Sequence, residues 1–141
     1  MTEHRASCQC GALRVVASQD PDFTIACSCK QCQRRTGSPF GVSVYFPQAC
    51  VQVSGAYKSA SRKGESGGDL TTHFCPTCGT NLWWRLDILA GRTGIAFGCF
   101  DTKPPEPTIA LWTSKKHDWV NFPDHWRSGG RNELEKRKTE S

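Results

Sequence analysis

No apolar stretch in this sequence approaches the roughly 18 residues that a membrane-spanning helix requires. Met1 to Ser7 is polar and carries Glu3, His4 and Arg5, so it does not read as the apolar segment of a secretory signal peptide. The expectation is a cytoplasmic protein without membrane attachment. Helical periodicity is weak throughout; the best candidates are a turn or two after Cys29, through Gln33 to Thr36, and the charged C-terminal stretch. Internal repeats and long linkers are also missing, so the 141 residues read as one domain. Apolar residues make up only 37% of the chain, which implies a lean core to which metal crosslinks would contribute.

What is present is a succession of short strands. Leu13 to Ala17, Phe23 to Ala26, Phe40 to Phe46, Cys50 to Val53, Leu70 to Phe74, Asn81 to Leu86, Gly94 to Phe100 and Thr108 to Thr113 are rich in β-branched or aromatic residues, with glycine and proline between them. Alternation is clearest from Phe40 to Phe46, where one side stays apolar for several steps. The predicted class is mainly β with short helical turns. Residues 1–127 form the domain, and 128–141, in which Leu134 is the one apolar residue, read as a charged, flexible tail.

The chain has nine cysteines, and seven are clustered: Cys8 and Cys10; Cys27, Cys29 and Cys32; Cys75 and Cys78. In a reducing compartment such clusters point to metal rather than disulfides. A structural zinc site takes four ligands, whereas a catalytic one takes three and leaves a position open. Seven thiols therefore divide most simply into one closed and one open site. Spacing does not decide which clusters cooperate. A zinc ribbon from Cys29, Cys32, Cys75 and Cys78 is the ordinary reading of two separated CxxC pairs, but it leaves Cys8, Cys10 and Cys27 unused. His73 is a further candidate ligand that would close a three-thiol site. Cys50 and Cys99, alone in apolar runs, read as small buried hydrophobes.

The formal charge of +5 does not by itself indicate a nucleic-acid partner, because seven thiolates and two zinc ions would bring it to about +2. The basic residues are dispersed apart from Arg34 and Arg35, Lys115 and Lys116, and Lys136 to Lys138. Nucleic acid is not the expected partner.

Three motifs occur in order: Ser7-Cys8-Gln9-Cys10-Gly11; Cys27-Ser28-Cys29-Lys30-Gln31-Cys32 running into Arg34-Arg35-Thr36-Gly37; and Phe74-Cys75-Pro76-Thr77-Cys78-Gly79-Thr80. With a looser match near Trp112 to Phe122, they resemble the glutathione-dependent formaldehyde-activating enzyme family, whose eukaryotic relatives include a centromere protein. The resemblance implies a zinc-bound, Mss4-like β-tent in a single domain. It makes Cys8, Cys10, Cys75 and Cys78 the ligands of a structural zinc, and Cys27, Cys29 and Cys32 those of a second, catalytic zinc.

The implied activity is that of a zinc-dependent carbon–sulfur lyase joining glutathione to formaldehyde as S-hydroxymethylglutathione, with a small-molecule thiol and aldehyde as partners. Lys30, Arg34 and Arg35 are the candidate contacts for the glutathione carboxylates. Where the family often has histidine between the first two cysteines of the middle motif, this chain has Ser28. Two other functions fit the same residues. One is a non-catalytic, zinc-stabilised binding module for protein or nucleic acid, using surface among Trp83, Trp84, Trp112, Trp119 and Trp126; the other is a redox or metal sensor built on the three-thiol cluster.

Overall fold

The alternating segment Phe40 to Phe46 sits at the centre of the fold, in contact with a core on each face. In the computed structural model, which describes residues 3–64 and 67–129, the chain opens with a hairpin of β1 (His4–Ser7) and β2 (Arg14–Ala17). It continues through β3 (Phe23–Cys27), helix α1 (Lys30–Thr36), β4 (Gly41–Pro47) and β5 (Val51–Ser54). Next come β6 (Lys58–Lys63), β7 (Asp69–Phe74), β8 (Asn81–Leu86) and β9 (Arg92–Ala96). The last two strands among the described residues are β10 (Ile109–Leu111) and β11 (Arg127–Ser128). No helix among the described residues is long and apolar enough to cross a membrane.

These strands form two sheets. The small one has the order β1-β2-β5, and the large one runs β11-β10-β3-β4-β9-β8-β7-β6. Alternation along β4 puts Val44 and Phe46 into a core with Leu13, Val15 and Ile95, contributed partly by the small sheet. Tyr45 points the other way and joins Ile25, Trp84, Leu89, Ile109 and Leu111 in a second core. The result is a mainly β domain consistent with the Mss4-like β-tent, with cysteine clusters that could hold zinc.

Two adjacent residues of β8 share one core for a local reason. Phe74 pairs with Asn81 and His73 with Trp83, so Leu82 is an extra residue in the ladder. Such a bulge lets Leu82 and Trp83 both enter the first core, while Trp84 enters the second.

The eight expected strands are all present, with two revisions. The run Gly94 to Phe100 is not one strand, because β9 ends at Ala96 and Phe97–Cys99 form a 3-10 turn. The sequence reading also passed over β1, β6 and the two-residue β11. The sequence of β6, Lys-Ser-Ala-Ser-Arg-Lys, carries no apolar stripe because it is the exposed edge of the large sheet, where charge discourages further pairing. Of the stretch read as a tail, Ser128 lies in β11 and Gly129 donates its N–H to Ala110 O at 3.0 Å. Residues 130–141, and with them the expected helical turn, lie outside the described residues.

Candidate metal centres

The two-residue and one-residue cysteine spacings need turns, and glycine supplies them. Gly11 and Gly79 have φ of 81° and 80°, a region that L side chains rarely adopt. Gly11 N–H bonds Cys8 O at 3.0 Å and Gly79 N–H bonds Cys75 O at 2.8 Å, closing one turn at each cluster. The Gln9 N–H donates to Thr80 Oγ1 across the gap at 3.1 Å, holding the two turns face to face.

The sulfurs of Cys8, Cys10, Cys75 and Cys78 consequently lie within 4.8 Å of one another. The Cys8–Cys10 and Cys10–Cys75 sulfur separations are 3.6 and 3.7 Å. A tetrahedron with zinc–sulfur bonds of about 2.3 Å has edges of about 3.8 Å, so this group fits zinc without rearrangement. The amide of Leu13 donates to Cys8 Sγ at 3.2 Å, and the Thr80 hydroxyl, 3.2 Å from Cys78 Sγ, pulls that thiol down to about 5. Both contacts favour thiolate, the form that binds metal.

The second group lies at the other core, where β3 gives way to α1. Cys27 ends the strand, Cys29 caps the helix by accepting the Cys32 N–H at 3.3 Å, and Cys32 falls in the first turn. A sulfur here does the work that Ser or Asp oxygens do at most helix starts. The three sulfurs lie within 4.8 Å of one another, and among the described residues no His, Cys, Asp or Glu joins them as a fourth.

Without a cation the three thiols compete for one negative charge. Hydrogen bonds from Cys27 and Cys29, with the guanidinium of Arg35 adding to them, hold Cys32 well below the usual thiol range. The same bonds, to Cys29 and Cys32, push Cys27 far above it. Three adjacent thiolates repel one another, so full ionisation requires a bound cation, and the donor set suits zinc.

His73 is engaged elsewhere. Its Nδ1 lies 2.7 Å from Ser59 Oγ, its ring stacks on Trp83 at 4.5 Å, and burial holds it below the ordinary imidazole range. Ser28 is 1% exposed, its hydroxyl has no hydrogen-bond partner, and it does not line the cleft described next. Cys50 is buried as expected, while Cys99 is half-buried against the first core.

All three cysteines line a cleft of about 710 Å³, its open mouth included, whose walls come from β3, α1, β4, β6, β7, β8 and β10. Arg35 lines it, with its guanidinium carbon 4.0 Å above the Trp84 ring. Arg62, on the polar strand β6, lines it too, together with Tyr45 and Trp112. Lys30 and Arg34 are exposed and do not reach the cleft. Arg34, Arg35 and Arg62 instead share an adjoining polar groove, at which the buried Asn81 Oδ1 has no partner. Sequence reasoning missed Arg62 because nothing marks one arginine in a polar strand, and it did not separate Trp84 from its neighbour Trp83.

Close packing maintains this wall. A Cβ on Gly94 would collide with the Trp84 indole and stand 2.8 Å from Tyr45 Cε1. Gly94→Ala is therefore expected to lower the melting temperature by roughly 3–10 °C, for an overpacking cost of about 1–3 kcal/mol. A shift in tryptophan emission as Trp84 is displaced should accompany it; a variant melting with the native protein would show that the contact is slack.

The sequence matches the model of a protein family described as "Glutathione-dependent formaldehyde-activating enzyme" over residues 3–115. That span contains both thiol groups and the residues named in the cleft wall. A crystal structure of a protein from Rhodobacter sphaeroides is similar at a TM-score of 0.54 and 17% identity, the match covering 72% of this chain and 91% of that one. At such identity the likeness speaks to the fold. No curated protein matches the sequence.

Proposed function

The chain belongs to the glutathione-dependent formaldehyde-activating enzyme family, and from that membership we propose that it joins glutathione or a related thiol to formaldehyde beside Cys27, Cys29 and Cys32. The reaction is of the carbon–sulfur lyase type and depends on zinc. One observation carries the reading: the three thiols gather without a fourth acidic, histidine or cysteine ligand among the described residues, and all three line a cleft. Zinc bound there supplies Lewis acidity and an exchangeable fourth position.

The chain's own residues bind and orient. The groove of Arg34, Arg35 and Arg62 offers three cations for the two carboxylates of glutathione. Lys30 lines neither cleft nor groove, so the proposed carboxylate set is Arg34, Arg35 and Arg62. Tyr45 keeps its phenolic proton, since burial raises its pKa, and so it acts as a hydrogen-bonding group and not as a base. In the addition the thiol sulfur bonds to the carbonyl carbon, the C=O electron pair moves to oxygen, and the thiol proton ends on that oxygen.

Thiols add to formaldehyde unaided, so the acceleration required of the protein is modest, with proximity and orientation its largest part. Magnetisation-transfer NMR on glutathione and formaldehyde at equilibrium should show exchange with S-hydroxymethylglutathione accelerating in proportion to added zinc-loaded protein. Exchange indistinguishable from a bovine serum albumin control at the same concentration would remove the proposal.

A further inference from the structure

We infer that the three-thiol centre also accepts an aldehyde bearing an apolar chain or ring, which occupies the cleft beside Cys27, Cys29 and Cys32. This rests on the thiol–aldehyde reading above and adds the substrate class to it. Formaldehyde has a carbonyl and two hydrogens, and makes no use of apolar walls. The cleft has them in quantity: Ile25, Leu70, Leu86, Ile88, Leu89 and Leu111 line it along with the aromatic residues.

Two of its three charged members have side-chain partners within the protein. Arg35 lies on Trp84 and hydrogen-bonds Cys32, while the Asp69 carboxylate pairs with Lys63 at 2.8 Å. Arg35 and Arg62 form the shared wall with the polar groove, so a glutathione adduct can put its carboxylates on one side and its substituent on the other.

Trp112 gives a second, independent indication. It is the one non-glycine residue with positive φ among the described residues, at φ 54° and ψ 42°, a costly conformation for a bulky side chain. That backbone presents its indole to the cleft, where strain of this kind is associated with ligand contact.

With an aldehyde RCHO the balanced product is RCH(OH)S-glutathione. The sulfur–carbon bond forms, the carbonyl pair becomes the hydroxyl oxygen, and the thiol proton completes the hydroxyl with nothing released.

Stable thioethers mimic this product and separate binding from turnover. Titrations of the zinc-loaded full chain with S-methylglutathione and S-hexylglutathione, read by calorimetry and by tryptophan emission, test the inference. S-hexylglutathione should bind at least about 30-fold tighter, short of the roughly 1000-fold that five fully buried methylenes would give at about fourfold each. Ile88→Asn should shrink that ratio, and so should Leu86→Trp, which fills the cleft; melting curves establish that each variant is folded. Equal affinities in the native protein overturn the inference whatever the formaldehyde exchange experiment gives. Hexanal alone, quenching tryptophan emission saturably in native protein and less in Leu86→Trp, supports the apolar site even if glutathione derivatives do not bind, a result that would sink only the thiol assignment.

Discussion

Cys75→Ser is expected to abolish the cooperative thermal transition and leave a poorly soluble or loosely packed chain. Cys75 is 1% exposed and belongs both to the four-thiol group and to the first core. Its group ties the β1–β2 hairpin to the β7–β8 hairpin, joining residues 65 apart in sequence through the Cys10–Cys75 contact. Structural zinc contributes about 10–16 kcal/mol of apparent binding energy in small domains, against a net folding stability of about 5–15 kcal/mol. A serine hydroxyl is a poor replacement for a thiolate ligand, and loss of most of that term exceeds what a lean core can absorb. Cys50→Ser provides the contrast, because Cys50 is also buried in the first core but stands outside both groups. It should keep its transition and its metal. Circular dichroism melts with zinc analysis decide the matter: a Cys75→Ser protein that melts within a few degrees of the native one would mean that the four thiols do not hold the fold.

The sequence exposed the three-thiol group because Cys27, Cys29 and Cys32 lie within six residues, a span short enough for local geometry to bring them together. The four-thiol group was not legible from spacing, which suggested a ribbon of Cys29, Cys32, Cys75 and Cys78 equally well. Only the matched order of all three motifs singled out Cys8 and Cys10 as partners of Cys75 and Cys78. The strands carrying apolar or aromatic residues were readable, whereas β6 was hidden because it buries neither face. The cleft was hidden for a different reason. Its wall is assembled from residues such as Ile25, Arg62, Trp84 and Leu111, which only strand order brings together. Trp83 and Trp84 face opposite cores by ordinary strand alternation, but no pattern in the residues announces the bulge that puts Leu82 on the same side as Trp83.

Cys29→Ser is expected to do the reverse of Cys75→Ser, removing zinc and activity while sparing the fold. Cys29 Sγ has two tasks: it caps α1 by accepting the Cys32 N–H, and it faces Cys27 and Cys32 as a metal ligand. Serine is a preferred N-cap, so the first task survives the change. The second does not, because the three-thiol group would be reduced to two. Zinc content should fall from about two to about one per chain, the melting temperature should move by only a few degrees, and protein-dependent thiol–aldehyde exchange should drop to background. Cys29→Ala loses both tasks, and the missing cap should cost about 1 kcal/mol further, or roughly 3 °C. The difference between the two variants isolates the capping role of the sulfur, and their shared loss of one zinc isolates its ligand role. A Cys29→Ser protein that kept two zinc ions and full exchange would place the chemistry elsewhere. One that lost its fold together with its metal would mean that the second group, like the first, serves to hold the chain together.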